Sequence, residues 1–216
     1  MNVNAKEYFS DRFETLKNKY SSLTRHIHLV SRQDMGSELG LLNVCGVEHD
    51  TKLAFTDSAI GDISPSDYGT QNAGGVTIAF MYAGVRRSAI FINDEMIEGD
   101  DNQGISWLWR YCSLHHELMH ALDQSKQKNF KYLDMTVDLI GAEAFADTKT
   151  LKHLQSGSHP YMGFALGQYA KNILSVRDNG PIRAGIFNRI TGIIGVKSLN
   201  YWASDAFEDA LHERWG

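Results

Sequence analysis

An α+β fold, with a small, mostly antiparallel sheet beside a set of helices, is predicted for this chain of 216 residues. Three observations point to it. The chain opens on an amphipathic helical pattern, the rest of its first half holds short apolar runs separated by turn residues, and from Leu133 onward the periodicity is mostly helical. We read one domain spanning residues 1–216, with a helix and the sheet in 1–104 and a mainly helical part in 105–216.

Residues 4 to 20 carry Tyr8, Phe9, Phe13, Leu16 and Tyr20 at intervals of three and four, which predicts the first helix. The short apolar runs "RHIHLVS", "LLNVCGV" and "KLAFTD" follow, punctuated by turn residues. "GDISPSDYGTQNAGG", rich in Gly, Ser, Asp and Asn, reads as a long loop. "VTIAFMYAGVRRSAIFIN" predicts two strands joined by a turn near Ala83-Gly84 and ending at Asn93, and "DEMIEGDDNQG" a second loop. A helix is predicted over 105–124, with Trp107, Tyr111, Leu114, Leu118 and Ala121 forming its buried stripe. A further helical pattern runs from Asp138 to Leu154. Breaks fall at 156–160 and 178–181, where Pro181 suits the first turn of a helix.

Composition narrows the classes of function. With 43% apolar and 22% charged residues the chain can build a core of its own. A formal net charge of −5, without long Lys/Arg clusters, gives no electrostatic reason to expect nucleic acid or an anionic membrane as a partner. The polar opening "MNVNAKEYFSDRFETLKNKY" lacks the apolar run of a secretory signal, and no stretch of about 18 apolar residues occurs. Two cysteines, Cys45 and Cys112, build no disulfide framework. The expected compartment is therefore the cytoplasm, with signal-less export left open.

The stretch "LHHELMH" (114 to 120) contains His116-Glu117-x-x-His120. Residues four apart on a helix are separated by only about 40° around its axis and stacked one turn apart, so both imidazoles can reach one point. A zinc ion needs that geometry, with nitrogens at about 2.0 to 2.1 Å. Glu117 then stands as the base that takes a proton from a water activated by the ion. The alternative is a solvated helix face holding two histidines by chance. Against it stand the apolar neighbours Leu114, Leu118, Met119 and Leu122, and the strand-like run Ala89 to Asn93, because an edge strand beside a zinc site can bind an extended peptide.

Two histidines leave a catalytic zinc one protein ligand short. Asp123 and Lys126 occupy the places where a metzincin-type pattern requires Gly and then His or Asp, so that pattern is rejected. Within 138–154, Glu143 and Asp147 are four apart on one face, between the small residues Ala142, Ala144 and Ala146. Glu143 is the favoured third ligand, and Asp147 is read as accepting a hydrogen bond from the distal nitrogen of a ligating histidine. Asp134 and Asp138 are rival ligands, and an ordinary exposed acidic pair is the plain alternative.

The full spacing, His116-Glu117-x-x-His120 followed by Glu143-x-x-x-Asp147, resembles the gluzincin class of zinc metallopeptidases. That resemblance implies a zincin-like fold, zinc held by His116, His120 and Glu143, Glu117 as base, Asp147 in support and a protein or peptide substrate. A looser likeness is to compact ImmA/IrrE-type peptidases, carried by "IFIN" upstream and Glu143-Ala144-Phe145-Ala146 downstream, without the residues expected between. The likeness covers about residues 88 to 150. His153, His159, Tyr161 and Tyr169 are candidates to stabilise an oxyanion, each with a plain structural role as its alternative. His115 is read as a buried, satisfied histidine and Cys112 as no nucleophile. The four tryptophans are read as packing anchors, and "NAGG" (72 to 75) as flexible backbone near a strand start. Two other functions stay open: a metallopeptidase-like module that binds another protein, and a zinc hydrolase of a non-peptide amide.

Overall fold

A computed structural model describes residues 5–35, 74–82, 85–95, 103–126 and 137–215. The chain divides into two compact units, Met1–Tyr132 and Leu133–Gly216. The apolar runs at 41–47 and 52–57 and residues 61–73 of the loop expected over 61–75 lie outside the described residues, while Gly75, at the end of that expected loop, already belongs to a strand.

The first unit opens with helix α1 (Ala5–Lys19), where Phe9, Phe13 and Leu16 make the buried stripe. Glu7 in its first turn and Lys17 and Lys19 in its last complement the helix dipole. Strand β1 (His26–Val30) and a single helical turn, α2 (Arg32–Met35), follow. Strands β2 (Gly75–Tyr82) and β3 (Val85–Asn93) form the expected hairpin, and β3 ends on Asn93 as read from the sequence. The Asn93 side chain accepts a hydrogen bond from the Glu95 N–H at 2.9 Å, a local turn that stops the strand.

The sheet order is β1-β3-β2. Thr77 pairs with Ile90 and Ile78 with Ala89 across the antiparallel β2/β3 ladder, while β1 runs parallel to β3, with His28 opposite Phe91. The run Ala89 to Asn93 is thus the middle strand and not the edge strand expected beside the metal motif. Its backbone is paired on both sides, and Ala89, Ile90, Phe91 and Ile92 are fully buried. Among the described strands, β1 and β2 are the outer ones. On one face of the sheet Val30, Met35, Ile78, Ala89 and Phe91 form a cluster. The opposite face carries Gly75, Thr77, Ile90 and Ile92, because side chains alternate along a strand.

Helix α3 (Gln103–Lys126) completes the unit. Tyr111, Leu114, Leu118 and Ala121 are buried as the spacing predicts, and Trp107 is half-buried. Phe9 meets Tyr111 and Phe13 meets Trp107, each pair with ring centroids 5.7 Å apart, so aromatic edges lock α1 to α3. A methyl group on Gly104 would stand 3.0 Å from the Ala5 side chain, which shows how closely the two helices begin. Arg110 pairs with Asp94 at 2.7 Å and lies over the Trp107 ring, tying the end of β3 to the helix.

The second unit is helical throughout its described residues: α4 (Val137–Ser156), α5 (Pro160–Val176), α6 (Pro181–Ile194), α7 (Val196–Trp202) and α8 (Asp205–Trp215). Both expected breaks are present. His159 caps α5 by accepting the Tyr161 N–H, and prolines open α5 and α6. A further break at Gly195 was not foreseen. Its φ of +88° is a conformation that side chains disfavour, and it ends one helix and begins the next. Gly141 and Gly185 let α4 and α6 approach, since a methyl group at either would meet Arg189 or Ile140 at under 3 Å. The chain is α+β and mostly helical, and no described helix is long and apolar enough to cross a membrane.

Candidate metal and hydrolytic site

On α3, His116 and His120 are half-buried while their neighbours Leu114, His115, Glu117, Leu118 and Met119 are buried. Their Nε2 atoms lie 3.0 Å apart, with the ring planes crossing at 73°. Two nitrogens that close, one turn apart, share a single hydrogen or a single cation. A tetrahedral ion with bonds of about 2.0 to 2.1 Å sets its ligand atoms about 3.3 Å apart. The pair is therefore within a few tenths of an ångström of chelating distance.

Glu117, between them in sequence, turns toward the sheet. It is only 5% exposed, which is costly for a carboxylate unless it is partnered. The partner is Thr77 on β2, whose hydroxyl lies 2.7 Å from Glu117 Oε2 and 2.9 Å from the Glu117 carbonyl oxygen. Two residues earlier on the same strand, Gly75 leaves room for the side chain. A methyl group built there would stand 2.7 Å from Glu117 Cγ and 2.9 Å from Oε1. Thr77 escaped the sequence reading, and Gly75, read there as flexible backbone near a strand start, is the first paired residue of β2. The usable signal was the glycine, since a glycine at the start of a strand often marks the close approach of another group.

In the second unit Glu143 is half-buried on α4, and Asp147, one turn later on the same helix, is buried. Tyr169 on α5 donates its hydroxyl to Asp147 Oδ1 at 2.7 Å and is itself 6% exposed. One oxygen of Asp147 is thereby fixed by a tyrosine that the sequence reading had considered for oxyanion binding. His159 spends its Nδ1 on the α5 cap and is exposed, and Tyr161 stacks beside it. His153 sits in the last turn of α4. Of the rival ligands, Asp138 belongs to the first turn of α4, and Asp134 lies outside the described residues.

His115 is buried, as expected. The Cys112 thiol is completely enclosed, and burial pushes its pKa far above the ordinary value, which leaves no thiolate for nucleophilic chemistry. Trp107 and Trp202 pack in their units as anchors. Chemically, the first unit offers a nitrogen pair at chelating distance next to a held, buried carboxylate. Comparison of the chain with protein-family models, with curated proteins and with solved structures returned no match.

Proposed function

We propose that the chain is a zinc-dependent metallopeptidase of gluzincin type that hydrolyses peptide bonds in a protein substrate. The 3.0 Å approach of the His116 and His120 nitrogens, beside a buried glutamate, is the observation that carries this reading. His116, His120 and Glu143 would hold the ion, as half-buried donors of suitable chemistry. Two imidazoles and one carboxylate suit zinc better than magnesium or calcium, which favour oxygen ligands, and three protein ligands leave a position open for reaction. Zinc supplies Lewis acidity, which polarises an amide carbonyl and acidifies a water.

The remaining work belongs to the chain. Glu117 takes one proton from the attacking water as the water oxygen bonds to the carbonyl carbon. It returns that proton to the amine nitrogen as the C–N bond breaks. Thr77 and Gly75 keep the glutamate turned in one direction meanwhile. Asp147, fixed by Tyr169, supports the ligand set from α4. The fold this implies is zincin-like, and the working compartment is the cytoplasm.

The test is to incubate a cell lysate with zinc-loaded protein and identify new protein N-termini by mass spectrometry. The parent is expected to generate termini absent from a parallel incubation with Glu117→Gln. Equal sets of termini from the two proteins would remove the peptidase reading.

A further inference from the structure

We infer that Thr77 is a positioning residue for Glu117, holding its carboxyl group in one place from the neighbouring strand. Two acceptors stand within reach of one hydroxyl: Glu117 Oε2 at 2.7 Å and the Glu117 carbonyl oxygen at 2.9 Å. A threonine has one hydrogen to give and lone pairs to receive with. Both acceptors belong to one residue, so the hydroxyl ties the Glu117 carboxyl group to the helix backbone beside it.

This arrangement matters because Glu117 is 5% exposed. Water reaches it poorly, so its carboxyl group must find a partner within the protein or be penalised. Gly75 restricts the alternatives. The Glu117 side chain occupies the space that a Cβ at this position would need, while its Oε2 meets the Thr77 hydroxyl. Both residues belong to β2, an outer strand whose ladder with β3 fixes the hydroxyl and the glycine two positions apart on one face. One short stretch, Gly75-Val76-Thr77, therefore both clears a place for the glutamate and holds it there.

The kinetic consequence rests on the hydrolytic reading; the bond itself does not. Three proteins separate the two: Thr77→Val, which keeps the shape and loses the hydroxyl, Thr77→Ser, which keeps the hydroxyl, and Glu117→Ala. Thermal unfolding of the singles and of the double variant Thr77→Val/Glu117→Ala reads the bond without any turnover. The midpoint loss caused by Thr77→Val should be clearly smaller when Glu117 is already alanine, because only the bond to the backbone carbonyl is then left to lose. Equal losses in both backgrounds would overturn the inference whatever the activity. On the peptide spanning the bond cut most often in the lysate, Thr77→Val should lower kcat about 10- to 100-fold with KM within about twofold, and Thr77→Ser should recover most of it. A valine variant with the parent's kcat, or a serine variant as slow as valine, also overturns it. A parent that cuts nothing removes the hydrolytic reading instead, and the unfolding cycle still decides whether Thr77 holds Glu117.

Discussion

Replacing Gly75 by alanine tests the seat of Glu117 with the smallest possible change. The added methyl group would lie 2.7 Å from Glu117 Cγ, 2.9 Å from Oε1 and 3.1 Å from Cδ, all short of ordinary contact at 3.4–4 Å. Backbone strain is not involved, because Gly75 is a paired strand residue opposite Ile92 and alanine adopts such a conformation readily. Something must yield, and the β2/β3 ladder is stiffer than a side chain. The glutamate therefore swings off the strand and leaves the Thr77 hydroxyl. Overpacking of this kind costs about 1–3 kcal/mol, and loss of one charge-assisted hydrogen bond falls in the same range, so the folded protein survives with a lowered unfolding midpoint. Activity suffers more. A general base contributes about 10²- to 10⁴-fold, and a displacement near 1 Å forfeits about 100-fold of it. Denaturant unfolding, zinc content and peptide turnover measured on one preparation separate these effects. Gly75→Ala with zinc retained, modest destabilisation and kcat down about 100-fold fits the reasoning. Full turnover would refute it, since the glutamate would then need no particular place.

Leu118→Ala, in a fully buried position of α3, should cost about 2–5 kcal/mol in denaturant unfolding, as cavity formation does elsewhere. Cys112 should resist iodoacetamide in the native protein near neutral pH and react only in denaturant, because burial raises its pKa; peptide mapping by mass spectrometry distinguishes it from Cys45. His28 should make the protein less stable in mild acid. Burial first, then the charges of His26 and Lys17, lower its pKa below the usual 6.5, and its buried Nε2 has no hydrogen-bond partner among the described residues. The unfolded chain thus binds that proton more readily than the folded one. The stability present above about pH 6.5 is lost as the pH falls below it, and His28→Asn should flatten the slope of unfolding midpoint against pH.

The parts of this architecture that depend on neighbours in sequence were legible. The stripe from Tyr111 to Ala121, the end of β3 at Asn93 and the helix start at Pro181 follow from periodicity and local backbone chemistry, and each is where the letters place it. So was the closeness of His116 and His120, because a helix fixes the distance between residues four apart. What depends on distant segments was not legible. Hydrophobic letters announce that Ala89 to Asn93 is a strand, yet its place in the middle of the sheet is decided by His26–Val30, some sixty residues earlier, pairing parallel to it. The seat of Glu117 is forty residues away in sequence, and no spacing rule links Gly75 or Thr77 to it. The hydrogen bond from Tyr169 to Asp147 likewise joins two helices, and no spacing rule announces it. Gly195 looked like any other glycine, since a positive φ leaves no mark in composition.

The claim at the centre is that His116, His120 and Glu143 share one zinc ion. Metal analysis of the parent and of His116→Ala, His120→Ala and Glu143→Ala, each dialysed against the same zinc-buffered solution and checked for folding by circular dichroism, addresses it most directly. One zinc per parent chain, with occupancy lost in every folded variant, is the predicted result. A parent that binds no zinc, or a Glu143→Ala variant that holds it as firmly as the parent, would contradict the account.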